Sequence, residues 1–183
     1  MKKIIIAILV GLTCISLVGC TENKENKKEE NKKEDVTKNY KVEDLKKLST
    51  DVHENVEKKP FIDTTEINID EEGALLSSAG LKDKTNVEFA TRTEALIGSQ
   101  AYSFILVKVK PSADIEAMKQ EMIDNIDLAK WICARADKAY VTNYGSILML
   151  VMGDDAISDI DAVYENFKEA SNNTLGKKLE KTL

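Results

Sequence analysis

The chain has 183 residues, with 32 Asp and Glu against 26 Lys and Arg and a formal net charge of −6. That acidic balance argues against nucleic-acid binding, whose affinity comes mainly from neutralised phosphates. A single histidine, His53, leaves a multi-histidine metal site without material.

The first twenty residues read as an export signal. Lys2 and Lys3 precede an apolar run from Ile4 to Val10, which leads through Gly11–Ser16 into Leu17-Val18-Gly19-Cys20. The apolar stretch Ile4–Gly19 is roughly sixteen residues, short of the ~20 that span a bilayer. The cysteine directly after Leu-Val-Gly resembles a bacterial lipobox, in which the Cys20 thiol takes a diacylglyceryl group and the chain is cut just before it. Two acyl chains on one residue hold a protein to a bilayer stably. The expectation is a signal peptide over 1–19, a lipid on Cys20 as the membrane partner, and an extracytoplasmic location. Cys14 leaves with the signal, so Cys133 is the last free thiol and no internal disulfide can form.

Residues 20–41 then comprise the lipidated cysteine and a tether. The stretch 21–41 (TENKENKKEENKKEDVTKNYK) has only Val36 and Tyr40 as large apolar residues and is predicted to be disordered. A flexible chain of that length spans on the order of 25 Å, enough to lift a domain off the headgroups. Residues 42–183 carry 17 basic and 26 acidic side chains, a formal charge of −9, and suit one domain.

Within that domain, Val42, Leu45, Leu48 or Ser49, Val52 and Val56 predict a helix over 42–58, stopped by Pro60. Glu66–Ile69 reads as a short strand. Asp70 reads as the cap of a two-turn helix with Leu75, Leu76 and Ala79 inside and Gly80 at its end. Strands follow at Asn86–Glu94 and, more clearly, at Tyr102–Lys110. In the second, Ile105, Val107 and Val109 share one face and Phe104, Leu106 and Lys108 the other. A helix opens at Ser112 and Asp114, with Ile115, Met118, Met122, Ile126 and Ala129 on its buried side. Ala139–Tyr144 and Ser146–Met152 form a pair across Gly145; the second is apolar from Ile147 to Met152, which predicts a strand covered on both faces. Ile157, Ile160, Val163 and Phe167 mark a last helix ending at Asn172-Asn173, and 174–183 read as a frayed or short helical tail. The expected fold is one layered α+β domain. Its antiparallel or mixed sheet of about four strands packs against helices, in the order α-(β)-α-β-β-α-β-β-α.

The blocks AYSFILVKVKPSADIEAMKQEM, DLAKWICARADKAYVTNYG and SILMLVMGDD resemble, in this order, the uncharacterised Gram-positive lipoproteins classed as domain of unknown function 4358. The likeness covers most of residues 42–170 and implies a lipid-anchored single domain; it implies no activity.

Candidate chemistry is sparse. His53 reads as a half-exposed helix residue, and Cys133 as a small buried residue in a helix-to-strand connection. Trp131, Tyr102, Tyr140 and Tyr144 are the first choice for lining a pocket. The acidic groups at 70–72 and at Asp154, Asp155, Asp159 and Asp161 lack the spacing of a calcium loop. No catalytic residue, metal site or cofactor is assigned. The expected function is a non-catalytic module binding a protein or cell-wall partner. The alternatives are a small-molecule-binding accessory lipoprotein and a cell-wall or peptide hydrolase.

Overall fold

The computed structural model describes residues 35–183. The expected signal peptide, Cys20 and the tether up to residue 34 lie outside the described residues. The elements are α1 (Val42–His53), β1 (Ile62–Ile67), α2 (Ala74–Ala79), β2 (Val87–Ala95), β3 (Tyr102–Val109), α3 (Ile115–Asn125), β4 (Lys138–Tyr144), β5 (Ile147–Gly153), α4 (Ile160–Ala170) and β6 (Leu179–Thr182). All six strands join one antiparallel sheet in the order β1-β2-β3-β5-β4-β6. The α+β class holds, and the sheet has six strands rather than about four. Both edges depart from the expectation: β1 runs over Ile62–Ile67 instead of 66–69, and the tail forms β6 instead of a frayed or short helical end. Each edge strand is polar and half exposed, so it lacks the apolar alternation that marks a strand.

The strand order explains why both faces are covered. From β3 the chain crosses through α3 to β4, passing over the position of β5; from β5 it crosses through α4 to β6, passing over β4. Strands β3 and β5 run in opposite directions while both crossovers move toward the β6 edge. Two crossovers of one hand must then lie on opposite faces. The two apolar clusters have this arrangement. Ile105, Val107, Leu148 and Leu150 pack with α2 and with Met118 and Met122 of α3. Phe104, Leu106, Met149 and Val151 pack with Leu45 and Val52 of α1 and Phe167 of α4. Every residue of β3 and β5 is buried, as the run Ile147–Met152 predicts.

Asp114 and Asp159 cap α3 and α4, each accepting a backbone N–H at 3.0 Å from Ala117 and Ala162. Asp70 does not cap α2; it pairs with Lys84, and α2 begins only after Gly73. Leu76, expected inside, is exposed. Gly80 ends α2 at φ +74, where a Cβ would run into the Met122 carbonyl, so the residue lets α2 touch α3. Helix α3 stops at Asn125, short of Ala129, and α4 starts at Ile160, leaving Ile157 in the preceding turn.

The fold also begins earlier than the boundary expected at Val42. Residues Asp35–Tyr40 form a turn that lies on the β4–β5 connection, with Thr37 fully buried. This segment holds by polar groups, which is why its lack of apolar residues misleads. Among the described residues no helix is long and apolar enough to cross a membrane.

Candidate functional site

His53 ends α1, and the helix turns it inward against β3. Its Nδ1 lies 2.6 Å from the Ser49 carbonyl oxygen. Only a protonated nitrogen suits a carbonyl, so Nδ1 is assigned the hydrogen and Nε2 the acceptor role. The Tyr102 hydroxyl donates to Nε2 at 2.5 Å, and the Phe104 ring meets the imidazole edge-on with centroids 5.0 Å apart. Burial pushes the imidazole down to a pKa of about 4; the Ser49 carbonyl opposes the shift and the Lys59 charge adds to it. Burial likewise pushes the Tyr102 phenol up. His53 is therefore buried rather than half-exposed: α1 widens its inner stripe by satisfying Ser49 and His53 within the fold.

A row of hydroxyls runs from α1 to the sheet edge. Ser49 Oγ meets Thr93 Oγ1 at 2.5 Å, and Thr93 meets Thr64 at 2.8 Å. Beside this row α1 and β1 leave an open groove of about 810 Å³. On its rim Lys46 pairs with Glu43 at 3.1 Å and Lys47 with Asp51 at 2.5 Å. His53 also borders the groove, but both its nitrogens are engaged, so it presents no free base there.

The second candidate lies at the end of the sheet where β3 starts and β5 finishes. Trp131 and Ala134 pair across a tight hairpin whose tip carries Ile132 and Cys133. Cys133 has φ +60 and is exposed, contrary to the buried position expected; the hairpin turns it outward where a plain helix-to-strand link would have packed it. Trp131, Cys133, Arg135, Ser99, Asp137 and Asp154 surround an open depression of about 560 Å³. Beneath the hairpin, Lys130 Nζ lies 2.7 Å from Glu94 Oε1 and 3.2 Å from the buried Ser103 Oγ. Ser103 itself donates to Glu94 at 3.2 Å. A serine nucleophile needs a free base and open access; here Glu94 occupies the lysine and the strand covers the serine. The cluster ties the Trp131 hairpin to β2 and β3.

The four aromatic residues expected to share a pocket do not. Trp131 packs partly buried on the α2/α3 face, whereas Tyr102, Tyr140 and Tyr144 point to the α1/α4 face. Tyr102 serves His53. The Tyr140 hydroxyl donates to Asp161 Oδ1 at 2.6 Å, and Lys138 Nζ lies 2.8 Å from Asp161 Oδ2. Hydrogen bonds from Lys138 and Tyr140 hold the Asp161 carboxyl low, while burial and Asp161 push Tyr140 up to about 12. Tyr144 sits in the α1/α4 cluster near the β4–β5 turn. Alternation along the strands decides this, because the three tyrosines share one strand parity and the Trp131 hairpin lies across the sheet.

The acidic residues from Asp154 to Asp161 have partners of their own. Asp159 caps α4, Asp161 and Asp155 face Lys138, and Asp154 Oδ1 accepts from the Ala156 amide at 2.7 Å. Among the described residues no group of three or more His, Cys, Asp or Glu is placed to hold a metal ion. His53 and the Cys133 hairpin stand on opposite faces of the sheet, so the structure does not bring them together.

An exposed thiol is directly testable. In the folded protein Cys133 is expected to react with a maleimide at a rate within a few-fold of a small free thiol. Protection by a factor of a hundred would place it back in the core. No protein family, curated protein or solved structure matches the chain.

Proposed function

We propose that this protein is an extracytoplasmic lipoprotein, anchored to the cell membrane through Cys20, whose folded domain is a non-catalytic binding module. The observation that carries the anchor is the sequence of Lys2-Lys3, the apolar run from Ile4 and Leu17-Val18-Gly19-Cys20. The likeness in block order to domain of unknown function 4358 points the same way. Support for a binding role comes from the chemistry of the domain. Its one histidine is locked between Ser49 and Tyr102, on the opposite face of the sheet from the hairpin that carries its exposed thiol. Five exposed apolar side chains are spread along one end of the sheet, from the β1 edge to the β6 edge. Phe61, Leu96, Ile97 and Ile132 lie at the Trp131 end of the sheet, and Leu183, whose backbone amide donates to the Asp137 carbonyl, lies at the same end beside the opposite, β6, edge. Exposed apolar groups at one end of a molecule are a common mark of an interaction surface.

The test of the anchor is Cys20→Ala. Metabolic labelling with a fatty acid is expected to fall to background in the variant, and the precursor to remain uncut at this position. A variant still cleaved before residue 20 and still labelled would sink the proposal.

A further inference from the structure

At the other end of the sheet, where β4 turns into β5, a lysine is buried without an apparent role. Lys108 is the last residue of β3 facing α1, and its Nζ meets Ser146 Oγ. Ser146 Oγ lies 3.0 Å from Thr37 Oγ1, and the Ser146 amide donates to Thr37 Oγ1 at 2.9 Å and to Asp35 Oδ1 at 3.3 Å. The same Asp35 oxygen accepts from the Thr37 amide at 2.9 Å and the Thr37 hydroxyl at 2.7 Å. Gly145, at φ +54, makes room: a Cβ there would run into Asp35 and stand 2.7 Å from Thr37 Oγ1. Burial alone would raise the Asp35 carboxyl, but the hydrogen bonds from Ser146 and Thr37 and the nearby Lys108 charge hold it below its ordinary value.

We propose that Lys108, Gly145 and Ser146 form a carboxylate seat whose ligand is the Asp35–Thr37 segment of the same chain, and that this clasp opens locally while the sheet stays folded. The segment is held by hydrogen bonds and one counter-charge. Val36 is exposed, and only Thr37 of the three residues is fully buried. Segments with few apolar contacts open at a small fraction of the cost of global unfolding. The sheet beneath is different, since β3 and β5 are buried throughout. Closed, the clasp fixes the point where the preceding chain joins the fold; open, it uncovers the Lys108 amine.

A second buried lysine supplies the control. Lys119, on the opposite face, is fully buried against Glu116 at 2.6 Å and the Lys177 carbonyl at 3.0 Å, neither of them a residue of the clasp. The full-length chain in detergent is acetylated with an N-hydroxysuccinimide ester, and each lysine is followed by mass spectrometry. Asp35→Ala and Thr37→Val are each expected to speed Lys108 at least tenfold and leave Lys119 unchanged. Gly145→Ala, which blocks the seat from the other side, is expected to do the same. An unchanged Lys108 rate in these variants would overturn the proposal, as would Lys108 and Lys119 rising together, because opening would then be global. None of these readouts involves Cys20, so a failed anchor and a failed clasp are told apart.

Discussion

Replacing Leu150 with Asp is expected to abolish the folded domain, and Leu148→Asp to do the same. Both side chains are fully buried in the α2/α3 cluster, in the strand that holds the middle of the sheet together. Losing a buried leucine costs about 2–5 kcal/mol before any charge is considered. A carboxylate without a partner adds several kcal/mol, or takes up a proton at similar expense. Whole domains are stable by only about 5–15 kcal/mol, so either change exceeds or nearly exhausts that margin. Ile132→Asp is the matched control: Ile132 is 85 % exposed and its substitution is expected to shift stability by no more than about 0.5 kcal/mol. Urea melts followed by circular dichroism measure all three. A soluble Leu150→Asp domain melting near the wild-type midpoint would mean that this face of β5 is open.

The second large effect is a loss of stability in mild acid that traces to His53. Its pKa is about 4 in the fold against an ordinary value near 6.5 in the unfolded chain. Above pH 6.5 both states are neutral and the residue contributes no pH dependence. Between 6.5 and 4 the unfolded chain takes up a proton that the fold refuses, so stability falls as the pH falls. Integrated over that window, the loss is roughly 3 kcal/mol. The low-lying carboxyls of Asp35 and Asp161 act in the same direction, but only below their unfolded value near 3.8. The two windows therefore separate. In a His53→Leu/Tyr102→Phe double variant, which removes both polar partners together, the slope between pH 6.5 and 4 is expected to vanish. An unchanged slope would place the titrating group elsewhere.

The legible parts of this fold are those where burial dictates residue type. Ile147–Met152 admits no polar residue because helices cover both faces, and the Tyr102–Val109 strand separates its two clusters by parity. Asp114 and the Asn172-Asn173 stop are equally local: the first caps α3, and both asparagines adopt positive φ just beyond α4. What stayed hidden depends on partners distant in the chain. Nothing in LEKT marks it as a strand until β4 is beside it, and β4 reaches that place only through a crossover. His53 looks half-exposed until Tyr102 arrives from β3. Asp35 and Thr37 look like tether until Ser146, more than a hundred positions away, offers its amide. The one visible clue was Lys108, a charge in the strand YSFILVKV that needed a buried partner.

The positions of the chain entry and of the exposed apolar side chains have a mechanical consequence. Asp35 joins the sheet beside Ser146, which precedes Ile147, whereas the Trp131 hairpin lies beside the row of Tyr102 and Gly153. A load applied between these two ends runs along the strands. Antiparallel hydrogen bonds lie perpendicular to the strands, so such a load strains the whole β3–β5 ladder together, from Tyr102↔Gly153 to Lys108↔Ile147, instead of peeling it one bond at a time. While the clasp stays closed, a pull on Asp35 against something held at the Trp131 end loads the sheet in shear, its resistant direction, so the clasp yields before the ladder does.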